Sequence, residues 1–209
     1  MLFAKFAARQ LGHPAGIFSG FFARTMNRIN AGINEVTIQL MEIKPSDRVL
    51  EIGFGGGSAL MEVTGLLENG HICGIEISDA MLKRARKGFD ELISQGKMEL
   101  KKGNSAKIPY GTGSFDKVYA INCIYFWPDP MVDLKEIHRV LKANGKVALS
   151  LRPQEDLDKF PPARHGFILY SDLQLQNLLN EAGFSDIRIE HRKDTPLSAT
   201  IAIATKKSP

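Results

Sequence analysis

The stretch "VLEIGFGGGSAL", Val49 to Leu60, joins an apolar run of strand length to a loop in which four of the five residues from Gly53 to Gly57 are glycine. An apolar strand, a glycine loop and a following helical pattern open a βαβ unit, and in an open α/β sheet the loop at the carboxyl end of the first strand borders the ligand. Glycine there lets the backbone approach a ligand and admits conformations closed to other residues. One residue departs from the pattern, since Glu51 puts a carboxylate inside the apolar strand.

Outward from this stretch, apolar runs alternate with segments of helical period from Arg48 onward. The runs Val49–Gly53, Ile72–Ile77, Met98–Lys101, Lys117–Ile121 and Lys146–Leu151 predict a parallel sheet covered on both faces. Ser78 or Asp79 can cap a helix carrying Met81, Leu82, Ala85, Phe89 and Leu92. Asp129 then Pro130 opens one carrying Leu134, Ile137 and Leu141, and "ANGK" supplies the turn after it. In the C-terminal third, "SDLQ" (Ser171 to Gln174) is a capping-box pattern for a helix that stops at Gly183. Phe184–Glu190 and Ala199–Thr205 then follow with no helix between them, which implies a hairpin and one antiparallel strand.

Before the sheet, Phe22, Met26, Ile29, Ile33, Val36, Leu40 and Ile43 alternate spacings of four and three, one long amphipathic helix. Ahead of it "GHPAGIFSGFF" reads as a lid or a packed irregular segment. The expectation is an α/β, Rossmann-like, doubly wound seven-stranded sheet, mostly parallel with one antiparallel strand from the C-terminal hairpin. Its 209 residues suit a single domain, with residues 1–43 as an N-terminal helical lid and 44–209 as the core.

The formal charge of +4 is too mild an excess to indicate nucleic acid. The first acidic residue is Glu35, so Lys5, Arg9, Arg24 and Arg28 leave the first 34 residues purely basic. That suits an anionic substrate, a weak membrane-surface contact or a solvated helical face. No apolar run approaches the roughly 18 to 20 residues of a membrane span. Lys5, Arg9, Gln10 and His13 interrupt any secretory core segment, and Cys73 and Cys123 read as reduced core residues of a cytoplasmic protein.

A glycine loop of this kind serves nicotinamide, flavin and S-adenosylmethionine sites alike. Glu76 ends the second strand, where a carboxylate can accept both hydroxyls of an adenosine ribose. A dinucleotide fingerprint begun at Gly53 needs glycine at position 58, where Ser58 stands. Glu51 argues the same way: a carboxylate near the loop disfavours a pyrophosphate and suits a ligand with an ammonium and a sulfonium, which is S-adenosylmethionine.

Together "VLEIGFGGG", "GIEIS", "GNSAKIPYGTGSFDKVYAIN" and "EIHRVLKANGKVAL" resemble the class I S-adenosylmethionine-dependent methyltransferases, within them the small-molecule branch that includes ubiquinone and menaquinone C-methyltransferases. The resemblance implies that Glu51 holds the methionine ammonium, directly or through water. Gly53, Phe54 and Gly55 would line the amino-acid moiety, Glu76 bind the ribose and Ile77 lie against adenine. "GNSA" stands where the family often has Gly-Asp-Ala, so Asn104 would accept the adenine amino proton with Ser105 beside it, and Asn122 would border the methyl group. The product would be S-adenosylhomocysteine.

Methyl transfer from a sulfonium is an in-line displacement, helped by alignment and water exclusion, with a base needed only if the acceptor keeps a proton. The catalytic residue is left unassigned. The acceptor pocket falls over "NCIYFWPDP", with Tyr125 and Trp127 as candidates sharing one side, and His13 and His165 as loop histidines that could act as base or anion contact. Arg24, Arg28 and Arg152 could meet an anionic acceptor. Asn122 and Tyr125 have the spacing of the Asn-Pro-Pro-Tyr box of amino-group methyltransferases, but Cys123 and Ile124 replace its prolines. No metal ligand spacing is present and no nucleic-acid partner is expected. Alternatives left open are an RNA or protein methyltransferase, a membrane-associated lipid or quinone methyltransferase, a nicotinamide-dependent oxidoreductase and a non-catalytic binding protein.

Overall fold

The computed structural model describes residues 2–12, 19–193 and 198–208, with the side chains of 4–12, 29–193 and 198–208. Seven strands form one sheet: β1 Arg48–Ile52, β2 His71–Glu76, β3 Met98–Lys102, β4 Phe115–Ile121, β5 Leu141–Leu151, β6 Phe184–Arg192 and β7 Ala199–Lys206. Their order is β3-β2-β1-β4-β5-β7-β6. The pairs among β1 to β5 are parallel, and β7 runs antiparallel to both β5 and β6. All seven expected strands are present within a few residues at their ends, as expected of a sheet whose central strands are buried on both sides and therefore read as continuous apolar runs.

The helices are α1 Leu2–Gly12, α2 Ser19–Met41, α3 Ser58–Thr64, α4 Asp79–Gly88, α5 Asp90–Ser94, α6 Pro130–Val140, α7 Gln154–Leu157 and α8 Asp172–Glu181. One face of the sheet buries Ile33 and Met41 of α2, Leu60 and Val63 of α3 and Leu82 of α4. The other buries Leu134 and Ile137 of α6 and Leu175 and Leu179 of α8. The second half of α2 is thus part of the packed core, and it is pinned there where Thr37 Oγ1 meets Ser150 Oγ of β5 at 2.6 Å.

The expected caps form: Ser78 Oγ accepts from Met81 N–H, Asp129 caps α6, and Ser171 with Gln174 closes a capping box on α8. Three features depart from expectation. The helix carrying Met81 to Leu92 is two, broken at Phe89 (φ −118°, ψ 21°). "ANGK" is not a turn before β5 but an irregularity inside it, where the register passes from Phe115 opposite Leu141 to Lys117 opposite Lys146 and Asn144 takes φ 61°. The N-terminus contributes a further helix, α1, packed on the 3₁₀ turn Pro161–Arg164. No helix among the described residues is long and apolar enough to cross a membrane.

Candidate functional site

At the end of β1 the chain turns through Gly53, Gly55 and Gly57 at φ 71°, 48° and 76°, the left-handed region that favours glycine. Gly53 has a second reason to lack a side chain: a Cβ there would fall 2.4 Å from Cys123 Sγ, whose thiol donates to Ile52 O. Ser58 opens α3, and its Oγ accepts from Asn34 Nδ2 of α2 at 2.9 Å. The residue that spoils the dinucleotide fingerprint therefore serves helix packing.

The loop borders a cavity of about 300 Å³ that runs over the carboxyl ends of β2, β1 and β4. Of the residues singled out from the sequence, Gly53, Gly55, Glu76, Ile77, Asn104, Ser105, Asn122 and Trp127 line it. Glu76 is buried, and two backbone amides aim its carboxylate: Gly55 N–H donates to Oε2 at 3.0 Å and Ser78 N–H to Oε1 at 2.8 Å. Asn104 is exposed beside the buried Ser105, and its Oδ1 accepts from Lys107 N–H at 2.9 Å and closes a short turn.

Glu51 and Phe54 do not line the cavity. The Phe54 ring lies against Gly74 in the core, within 2.7 Å of where a Cβ on that glycine would be, so only its backbone belongs to the loop. Glu51 is 4% exposed beneath the loop, and Tyr119 O–H of the paired strand β4 donates to its Oε2 at 2.9 Å. Burial pushes the Glu51 carboxyl up to about 8; the Tyr119 hydrogen bond opposes this, and the nearby Glu76 and Glu62 carboxylates add to it.

Asn122 follows β4 at φ 54°. Its Nδ2 donates to Asn30 Oδ1 of α2 at 3.0 Å, and its Oδ1 accepts from Tyr125 O–H at 3.1 Å. Tyr125 in turn accepts from Arg152 N–H, and the Arg152 guanidinium donates to Ile29 O and Ser198 O. Arg152 is thereby a brace between α2 and the β5 end. Arg24 and Arg28 lie in a part of α2 whose side chains are outside the described residues.

Tyr125 and Trp127 do not share a side. Tyr125 is 2% exposed and stacked on Phe167, whereas Phe126 and Trp127 face the cavity. The cause is the 3₁₀ turn Ile124–Phe126, which rotates successive side chains by about a third of a turn where a strand would alternate them. His165 ends another 3₁₀ turn away from the cavity wall, and His13 lies outside the described residues.

Cys123 and Phe126, from the stretch expected to face the acceptor, meet here with residues not foreseen, Leu11 and Gly12 of α1 and Asp133. Phe126 packs where a side chain on Gly12 would be. Only the apolar, basic character of the N-terminus hinted at α1; nothing local marks Asp133, buried in the first turn of α6. His71, Cys73 and Glu99 bring potential metal-ligand atoms within 4.8 Å of one another at the opposite end of the sheet. Glu99 is paired there with Lys101 and Arg48, two cations that oppose a metal ion.

With this geometry in hand, a family model described as a methyltransferase domain matches residues 50–149. The uncharacterized methyltransferase YdaC of Bacillus subtilis (strain 168) is 30% identical over 177 residues, covering 85% of this chain and 93% of that protein. A demethylmenaquinone methyltransferase of Bacillus mycoides (strain KBAB4) is 30% identical over 135 residues, 64% of this chain and 55% of the relative, so the match spans about half of the latter's length. A solved S-adenosylmethionine-dependent methyltransferase of Aquifex aeolicus shares the fold at TM-score 0.74 and 20% identity over 97% of this chain and 98% of its own. The chain belongs to the class I S-adenosylmethionine-dependent methyltransferases.

Proposed function

We propose that the chain methylates a small-molecule acceptor inside the cavity bordered by Glu76, with residues 1–43 acting as a cap on the core. The observation that carries this reading is Glu76 itself, a buried carboxylate aimed by two backbone amides at the ligand edge of the sheet. S-adenosylmethionine held there would supply a methyl group on a positively charged sulfur, the acceptor's electron pair forming the new bond while the old bonding pair stays on sulfur.

The residues fit such a ligand. Glu76 accepts the ribose hydroxyls, Ile77 covers the base, and the amides of the Gly53–Gly55 loop meet the amino-acid end beside Asn122. The Glu51 carboxyl lies beneath that loop, and a ligand ammonium beside it would favour its ionised form. A cavity of about 300 Å³ is at the small end of ligand sites. Walling by Leu11, Gly12, Phe126, Trp127 and Pro128 favours a small acceptor over a strand of RNA or a protein loop, and keeps water from the transfer. The demethylmenaquinone methyltransferase relative makes quinone-like acceptors the first to try.

The test is calorimetry with S-adenosylmethionine and S-adenosylhomocysteine, followed by a screen for S-adenosylhomocysteine release across quinone-like, phenolic, amine, thiol and phospholipid acceptors. Release with one small class supports the reading. Release only with RNA or protein overturns the acceptor, and absence of cofactor binding overturns the whole.

A further inference from the structure

The first 34 residues contain no aspartate or glutamate, and α1 places part of that basic charge on one outward face. Ala7, Ala8 and Gln10 are buried, whereas Lys5, Phe6 and Arg9 are exposed, Phe6 at 43%. Positions 5, 6 and 9 fall within about 100° of one another around a helix, so they form one side of it. α1 packs against the turn Pro161–Arg164, whose neighbourhood is also basic and apolar at its surface. There Lys159 and Arg164 are exposed, Phe160 is 41% exposed and Ile168, nearby in the chain, 42%. The basic surface ends at α7, where Glu155, Asp156 and the following Asp158 are acidic.

This surface adjoins the cavity. Leu11 and Gly12, the last residues of α1, are part of the cavity wall. Large apolar side chains interleaved with lysine and arginine, with no acidic residue on the same helix, complement an anionic headgroup layer: the rings enter the boundary with the acyl chains while the cations meet lipid phosphates. A second copy of the chain would bring like charges together. A nucleic acid would satisfy the cations but leave Ile168 and the edge of the apolar patch in water.

We propose that the outward face of α1, with the adjoining segment from Lys159 to Ile168, docks on an anionic phospholipid surface and brings the Leu11–Gly12 wall of the cavity beside the bilayer. An amphipathic acceptor then passes between membrane and cavity without crossing bulk water; this consequence rests on the small-molecule reading above.

Flotation of the full chain tests the docking, with vesicles of phosphatidylcholine alone and of phosphatidylcholine mixed with phosphatidylglycerol. Retention is expected on the mixed vesicles only, with release at high salt. Lys5→Glu with Arg9→Glu should lower partitioning at least about tenfold, two charge reversals in the surface field. Phe6→Ser should lower it with charge unchanged. All three substitutions should leave S-adenosylhomocysteine binding intact in calorimetry, which shows that the variants are folded. Failure of the wild-type chain to float with anionic vesicles overturns the proposal. So does equal retention on neutral vesicles, full retention of the charge-reversed variant, displacement of anionic vesicles by single-stranded RNA, or self-association in vesicle-free sedimentation that Phe6→Ser abolishes. Loss of cofactor binding by the wild-type chain would instead count against the methyl-transfer reading alone.

Discussion

Replacing Glu51 with glutamine should stabilise the cofactor-free protein at neutral pH and do so progressively as pH rises. Glu51 is buried, and its carboxyl titrates at about 8 against an ordinary 4.5. A raised folded value for an acid means that the fold favours the protonated form. The fold therefore suffers no ionisation penalty below the unfolded value, loses stability as pH climbs between the two, and loses no more above the folded value. Each pH unit in that window costs at most about 1.4 kcal/mol. The penalty works out at about 1 kcal/mol at pH 5, about 3 at pH 7 and about 5 on the plateau above pH 8. Glutamine keeps an oxygen to accept from Tyr119 O–H, so the bond across β1 and β4 survives while the charge does not. Urea unfolding of both proteins from pH 5 to pH 9 isolates the effect as the change in their difference, which cancels any constant packing cost of the amide. Near pH 7 a gain of about 3 kcal/mol corresponds to a rise of roughly 6–12 °C in Tm for a chain of this size. A difference independent of pH would falsify the reasoning, because it would mean that Glu51 ionises in the fold as readily as in the unfolded chain. The same substitution should weaken S-adenosylmethionine binding, since an amide cannot ionise in answer to the ligand's ammonium as a carboxyl can.

Glu76→Ala should weaken S-adenosylhomocysteine binding at least tenfold in calorimetry, equal to about 1.4 kcal/mol; a nearly unchanged dissociation constant would remove Glu76 from the ribose site. Gly53→Ala should cost more than the 1–2 kcal/mol of a left-handed alanine, because its Cβ also meets Cys123 Sγ. Combining it with Cys123→Ala should bring the cost back towards that figure, and equal costs in the two backgrounds would show that the contact relaxes freely. Asn30→Ala removes the acceptor for Asn122 Nδ2 and should cost about 1 kcal/mol in thermal unfolding together with a loss of cofactor affinity. An effect on stability with cofactor affinity intact would confine Asn30 to fastening α2.

Much of the sheet could be read in advance because β1, β2, β4 and β5 are covered on both faces, so burial writes itself into consecutive residues such as Val49 and Leu50. Helix ends were readable where a cap is a local side-chain bond, as at Ser78, Asp129 and Ser171. The break at Phe89 and the irregularity at Asn144 were not, since each answers to a neighbouring element and to no local signal. Phe89 packs beside Gly57, and Asn144 falls where β5 slips in register against β4.

The candidate site divides along the same line. Strand ends are fixed by where apolar runs stop, so the sequence by itself determined that Gly53, Glu76, Asn104 and Asn122 lie at one edge of a sheet. Which of them turn toward the cavity is decided by contacts distant in the chain. Tyr119, 68 residues on, takes Glu51 beneath the loop; the tight rotation at Ile124–Phe126 buries Tyr125 and exposes Trp127 to the cavity. Asn30, 92 residues before Asn122, ties α2 to the loop beyond β4. Hydrophobic periodicity is a one-dimensional record of burial and carries the sheet and its edge. Side-chain direction and long-range hydrogen bonds depend on packing in three dimensions, and only the tertiary structure brought α1, Asp133 and the Asn30–Asn122–Tyr125 chain to the cavity.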